Sequence, residues 1–380
     1  MIKLKNITKI YPGMERPAVK NLNLHIKKGE ICVFVGPSGC GKTTTLKMIN
    51  RLIEPTSGEL YINGKNAMEQ NPDKLRQNIG YVIQQVGLFP HMTVYENIAT
   101  VPRLLEWSED KIAKRVDELL ELVGLDPDEN RYKYPRELSG GQKQRVGVAR
   151  AMAADPPIML MDEPFGAVDP ITRTQLQNEF LKLQRKIKKT ICFVTHDIDE
   201  AIKMGDRIAI MNNGQLVQYD TPSNILFAPK DKFVEDFVGS DRALKVLNLL
   251  RVNKVMRKEV PTVKLEMDSK DVIQRITDSG QKYILVLDNK ERLIGYVNKN
   301  SIIESNEKTN WAKYIKEYSS TLPMDATLKD ALAEMLQNDV AVIPITNDDE
   351  FVGTVTLGDI RSYVGESYKN GDESENRLVI

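Results

Sequence analysis

The sequence predicts an α/β fold built in two parts, and three observations carry that prediction. Up to about Gly239, apolar strand-like runs alternate with amphipathic helical ones, the pattern of a largely parallel sheet covered by helices. Inside that block, the apolar run from Glu30 to Val35 leads straight into Gly36-Pro-Ser-Gly-Cys-Gly-Lys-Thr43, which reads as strand, glycine-rich loop and helix start. Beyond it, between about residues 250 and 365, a helix and strand-pair pattern occurs twice. A chain of 380 residues is long enough for two or three domains and a large core.

The glycine-rich run is built to hold polyphosphate. Gly36, Gly39 and Gly41 let backbone N–H groups turn inward around an anion, with Pro37, Ser38, Cys40 and Thr44 completing the loop. Lys42 is placed to meet the β and γ phosphates, and Thr43 offers its hydroxyl to Mg²⁺. The helix expected from Lys42 through Leu46, Ile49 and Leu52 aims its positive end at the same anion.

Two further apolar strands end in ionisable residues. Ile158-Met-Leu-Met runs into Asp162 and Glu163, so a buried strand would deliver two carboxylates at its C-terminal edge, where open α/β sheets bind ligands. Asp162 is expected to hold Mg²⁺, directly or through water, and Glu163 to polarise the attacking water as general base. Thr190-Ile-Cys-Phe-Val-Thr195 ends at His196, which taken alone carries no role.

Composition excludes other classes. Lys plus Arg equals Asp plus Glu at 53 each, so there is no basic footprint for nucleic acid. No apolar run approaches the ~18 residues needed to cross a bilayer, and MIKLKNITK has no signal-peptide core. Cys32, Cys40 and Cys192 are odd in number and unpaired in spacing, which fits a reducing compartment without disulfides. A cytosolic chain is expected.

About a hundred residues after the phosphate loop stands Leu138-Ser-Gly-Gly-Gln142. Together the two runs resemble the ATP-binding subunit of an ABC transporter, a P-loop ATPase domain with a helical subdomain. The resemblance implies ATP as ligand and a homodimer in which Leu138, Ser139, Gly140, Gly141, Gln142 and the D-loop residue Asp169 of one subunit complete the phosphate site of the other. It also implies that His196 is the switch histidine at the γ-phosphate, that Tyr11 stacks on adenine, and that Gln84 senses metal and water. Gln85 leaves that last assignment ambiguous by one residue. Leu88-Phe-Pro-His-Met-Thr-Val-Tyr-Glu-Asn97 resembles the region of importer ATPases that docks a coupling helix of a separate integral membrane permease, and Leu88, Phe89 and Met92 are apolar where exposure is expected.

In the second part, Lys282-Tyr-Ile-Leu-Val-Leu-Asp288 and Val340-Ala-Val-Ile-Pro-Ile-Thr346 lie at an offset of 58, and Leu293-Ile-Gly295 matches Phe351-Val-Gly353 at the same offset with no gap. Helices are expected at Ser269 to Thr277 and Leu328 to Leu336, the latter opened by a Thr327/Asp330 capping box. This resembles a tandem CBS module, expected at residues 253–365 as copies of about 253–309 and 310–365, after a 240–252 linker and before a flexible acidic tail over 366–380. The resemblance implies an adenine-nucleotide site through Thr356 and Asp359, with Tyr283, Ile360 and Arg361 as candidates for stacking and phosphate contact. The first copy offers only Asn298 and Ser301 at the matching places, so cyclic di-AMP or ionic strength are equal alternatives as regulator. ATPase plus CBS pair, with the lead-in Met48 to Gly58, resembles the ATP-binding subunits of quaternary-amine importers, for glycine betaine, carnitine or choline. That implies an ATP hydrolase peripheral to the cytoplasmic face, working with a permease and an extracellular substrate-binding protein; the alternative is the ATPase of an importer for another small solute, or a soluble ABC ATPase without a membrane partner.

Overall fold

The computed structural model describes residues 1–83, 87–166, 168–280, 282–303, 311–318 and 320–369. It divides into two compact units, 1–225 with 229–239, and 226–228 with 240 onward.

The first unit holds a six-stranded sheet in the order Gln215–Asp220, Arg207–Asn212, Ile31–Val35, Thr190–Val194, Ile158–Asp162, Ile79–Val82. All neighbours are parallel except Gln215–Asp220, which closes the edge as an antiparallel hairpin. Ile31–Val35, Ile158–Asp162 and Thr190–Val194 are buried at every residue, as strands covered on both faces must be. They lie side by side, so their C-terminal ends converge on one edge. A second sheet, Val19–Ile26, Ile2–Lys9, Ser57–Ile62 and Lys65–Asn66, is antiparallel. Its strand Val19–Ile26 alternates exposed and buried residues from Asn21 to Ile26, the signature of a one-sided sheet. Leu46, Met48 and Ile49 on the helix Lys42–Ile49 share one core with Ile2, Leu22 and Leu60 of this sheet and Phe34, Leu160 and Val194 of the other. That helix ends before Leu52, which is half exposed.

A helical layer follows, with Val94–Leu104, Glu109–Leu122 and Gly140–Met152 packed on one another. Asn97 fastens its start. Fully buried, the amide donates to the Phe89, Met92 and Thr93 carbonyls and accepts from the Phe89 N–H. The preceding loop is thereby held with Phe89 40 % exposed and Leu88 and Met92 half-buried.

The second unit repeats one motif. Thr262–Lys264, Tyr283–Leu287 and Leu293–Asn298 form one three-stranded sheet, Leu322–Pro323, Val342–Asn347 and Glu350–Thr356 another, each with a parallel and an antiparallel pairing. Helices Ser269–Asp278 and Leu328–Gln337 accompany them, and Thr327 and Asp330 form the capping box. The repeat is not gapless. Tyr283 pairs with Asn298 and Val342 with Thr356, which sets the first strands 59 residues apart and the second strands 58. The turn absorbs the difference, since Leu287 pairs with Leu293 but Thr346 with Phe351. Continuous apolar runs look alike after a one-residue slip, so only the pairing to a partner strand fixes the register.

Residues 240–252, expected as a linker, instead contain the helix Arg242–Leu249, whose Val246 and Leu247 are buried with Leu250 beyond its end. The Leu328 amide donates to the Leu250 carbonyl and the Val252 amide to that of Ala326, tying the segment to the second repeat. The helix Leu357–Lys369 likewise carries residues 366–369 of the expected tail, and 370–380 lie outside the described residues.

Candidate active site

The phosphate loop leaves Ile31–Val35 and is shaped by two glycines. A Cβ on Gly36 would stand 2.1 Å from the Met211 carbonyl oxygen, and one on Gly41, at φ 103°, would stand 2.5 Å from that of Ala18. Both positions therefore exclude any side chain. The turn Asn213–Gly214 pins the loop from outside, its Gly214 amide donating to the Cys40 carbonyl at 3.1 Å. Pro37, Ser38 and Gly39 are exposed and Gly39 meets nothing within 4 Å of a notional Cβ, so the rim is open. Lys42 is 6 % exposed, its ammonium donating to the Gly36 and Pro37 carbonyls at 2.7 and 2.9 Å, with Cys40 Sγ 3.6 Å away. Burial pushes the Cys40 thiol up, against the pull of Lys42.

Thr43, in the first turn of the helix, donates to Asp162 Oδ1 at 2.9 Å. Phosphate loop and acidic strand end thus meet through one hydroxyl and one carboxylate. Burial raises the Asp162 pKa, partly opposed by the Thr43 hydrogen bond, and Tyr81, shielded from solvent and beside Asp162, is pushed up to about 12. A glycine cradle that admits only backbone, with an oxygen pair at its helix end, fits a polyphosphate carrying Mg²⁺.

Glu163 follows at φ 47°, left-handed backbone that a glutamate enters at a cost of about 1 kcal/mol. Its amide donates to the Val194 carbonyl at 2.9 Å and its carbonyl accepts from Gly166 at 3.1 Å, which hold the turn. Glu163 Oε1 lies 3.4 Å from His196 Nδ1, where Thr190–Val194 ends. The His196 ring is largely exposed. Asp197 caps Ile198–Met204, accepting from the Asp199 and Glu200 amides at 2.8 and 3.2 Å. Tyr11 is half-buried with its hydroxyl 3.4 Å from Thr44 Oγ1. Gln84 and Gln85 lie outside the described residues.

Ser139 is the N-cap of Gly140–Met152. Its hydroxyl accepts from the Gln142 amide at 3.2 Å while Gln142 Oε1 accepts from the Ser139 amide at 2.9 Å, a capping box. Leu138 is buried, Ser139 and Gly140 are exposed, and a Cβ on Gly141 would touch Thr172 and Val168. Among the described residues, no hydrogen bond or ion pair joins Ser139–Gln142 to residues 36–44. Asp169 caps Pro170–Ile187 through the Thr172 amide at 3.1 Å, a bond that lowers its pKa.

In the second unit Thr356 and Asp359 also form a cap. Asp359 Oδ2 accepts from the Thr356 hydroxyl and amide at 2.6 and 3.0 Å, and the Asp359 amide donates back to Thr356 Oγ1 at 3.1 Å. Asp359 Oδ1 pairs with Arg257 at 2.6 and 2.7 Å. Burial pushes this carboxyl up, but the bonds from Thr356 and Arg257 outweigh it and leave the pKa lowered. Arg257, which carries no sequence motif, is held by paired backbone bonds to Thr354 at 2.9 and 3.0 Å. Tyr283 stands edge-on to Tyr296 at 6.1 Å, Ile360 is buried and Arg361 is exposed.

A glycine cradle, a hydroxyl–carboxylate pair and a glutamate–histidine pair on adjacent parallel strand ends define a P-loop nucleotide-binding protein. Residues 19–166 match the ABC transporter family and residues 252–307 and 315–366 match the CBS domain. The chain is 47 % identical to the glycine betaine/carnitine/choline transport ATP-binding protein OpuCA of Bacillus subtilis over the whole of both chains. It is 44 % identical to the osmoprotectant import ATP-binding protein OsmV of Salmonella typhimurium over 96 % of each. Among solved structures, a dimeric ATP-binding cassette in a post-hydrolysis state, bound to ADP and Pi, matches 58 % of this chain and 99 % of its own, at 38 % identity and a TM-score of 0.54. The chain belongs to the ABC transporter family, as an ATP-binding protein with a CBS pair.

Proposed function

We propose that the chain is the ATP-hydrolysing subunit of an importer for a quaternary-amine osmoprotectant of the glycine betaine, carnitine and choline class. The observation that carries the chemistry is the meeting of Gly36–Thr43, Asp162, Glu163 and His196 at the ends of three adjacent parallel strands. Full-length identity to transport ATP-binding proteins supports the substrate class.

In this reading the loop amides bind the ATP phosphates, Lys42 neutralises the β and γ groups, and Tyr11 stacks on the base. Thr43, Asp162 and Gln84 would hold Mg²⁺, which when bound neutralises phosphate charge. Glu163 accepts the proton of the attacking water, and His196 contacts the γ-phosphate while fixing the Glu163 carboxylate. A second copy supplies Leu138–Gln142 and Asp169 across a head-to-tail seam, so that ATP binding closes the pair and hydrolysis opens it. The 88–93 loop, tied to Asn97, docks a permease subunit at the cytoplasmic face, and an extracellular binding protein delivers the solute. No helix among the described residues is long and apolar enough to cross a membrane.

The CBS pair regulates the cycle. Thr356 and Asp359 are the adenine-nucleotide or cyclic di-AMP candidates, with Tyr283, Ile360 and Arg361 beside them. The Arg257–Asp359 ion pair favours a second reading, sensing of ionic strength, because Arg257 is 65 % exposed and salt screens such pairs.

Glu163→Gln tests the chemistry. It is expected to bind ATP, lose steady-state hydrolysis by about 100-fold or more, and accumulate an ATP-bound dimer in sedimentation. Unchanged turnover removes Glu163 from the base role. Uptake of labelled glycine betaine, carnitine and choline by cells lacking the chain, at low and high osmolarity, tests the substrate class, and intact uptake of all three contradicts it.

A further inference from the structure

We propose that a pocket between the helices Gly140–Met152 and Pro170–Ile187 binds a small, neutral, mainly apolar molecule that carries a carboxamide or an equivalent adjacent N–H and C=O. The pocket spans about 410 Å³, counting its open mouth. Its walls are apolar: Val148 on the first helix, Leu176 and Phe180 on the second, and Phe165 from the turn after Glu163, its ring edge-on to Phe180 at 6.3 Å.

One wall residue does not fit a plain core. Gln144 is 2 % exposed, and neither its amide nitrogen nor its amide oxygen has a partner among the described residues. A buried amide with both ends unpaired costs about as much as two lost hydrogen bonds, whereas the other polar side chains lining the pocket are bonded, Arg145 leaving only its Nε without a partner. Arg145 donates to the Val123 and Gly124 carbonyls, and Glu179 accepts from Gln175. These two rim charges are of opposite sign, and the walls would penalise any further charge. The demand is therefore for a neutral donor and acceptor side by side. A carboxamide meets Gln144 edge to edge with two hydrogen bonds, while an aromatic or branched body fills the apolar walls.

The site does not depend on the transport reading. It is nonetheless placed to matter there, because its two helices begin at Ser139 and Asp169, the residues assigned to the seam.

The test is titration of the full chain, without nucleotide, by benzamide and by toluene, read by ligand-observed NMR and thermal shift. Benzamide is expected to bind saturably. Gln144→Leu, and Gln144→Met should the first fail to fold, are expected to weaken benzamide by about tenfold while leaving toluene as tight or tighter. Val148→Phe, which fills the pocket, should abolish both. The proposal is overturned if benzamide shows no saturable binding to the folded wild type, which would leave ordered water as the partner of Gln144. Equal benzamide affinity for the wild type and the Gln144 variants overturns it as well.

Discussion

Asp162 and Glu163 are neighbours with opposite conformational histories: the first completes a buried strand, and the second is thrown into left-handed backbone to face His196. Both carboxylates were legible from an apolar run ending in two acids, but the strained turn that separates their directions was not, because φ has no single-residue signal in glutamate. Burial holds the Asp162 pKa above its unfolded value, so its ionised form opposes folding at neutral pH, and that cost fades only as pH falls through the raised value. Asp162→Asn keeps an acceptor for Thr43 and removes the charge. Calorimetry without nucleotide or Mg²⁺ is expected to show a Tm rise of about 2 °C, while Mg²⁺-dependent ATP turnover falls by about 100-fold or more. In the CBS pair a Thr and an Asp three apart suit a nucleotide and suit a helix cap equally, and in this structure they form the cap. Arg257, their partner from about a hundred residues upstream, has no local pattern by which to be found.

Among elements, the capping box at Ser139 places a local helix-start rule on a residue proposed for the seam, whereas the one at Thr327 serves its helix. The helices and the three central strands follow from periodicity and burial, whereas the antiparallel sheet over Ile2–Ile62 was missed although its alternation is plain from Asn21 to Ile26. Within 240–252, Val246, Leu247 and Leu250 form an apolar stripe at helical spacing that marks the helix Arg242–Leu249. At this scale Asn97 is decisive for the proposed docking loop. Asn97→Ala removes four hydrogen bonds around a buried site, and denaturant unfolding should show a loss of about 2–3 kcal/mol. Osmolyte uptake should fall far more than ATP turnover by the isolated subunit. Equal losses of both would mean that the loop serves the fold and not the permease.

For the whole molecule, the order of parts along the chain was readable because each part announces itself, the first by its phosphate loop and the second by its repeat. What one chain lacks is harder to read. Ser139–Gln142 forms a helix start with no hydrogen bond or ion pair to residues 36–44 among the described residues, and a similar cassette in an ADP- and Pi-bound state is a dimer. The central claim, that each nucleotide is completed by a second copy, is tested most directly by mixing two inactive chains. Lys42→Ala disables a phosphate loop and Ser139→Arg disables a signature, and each variant alone should hydrolyse almost no ATP. Mixed in equal amounts, they form heterodimers with one intact composite site, and turnover should recover to about a quarter of the wild-type rate if pairing is random and the sites are independent. A mixture that stays as inactive as its parts, although sedimentation shows the heterodimer, would contradict the account.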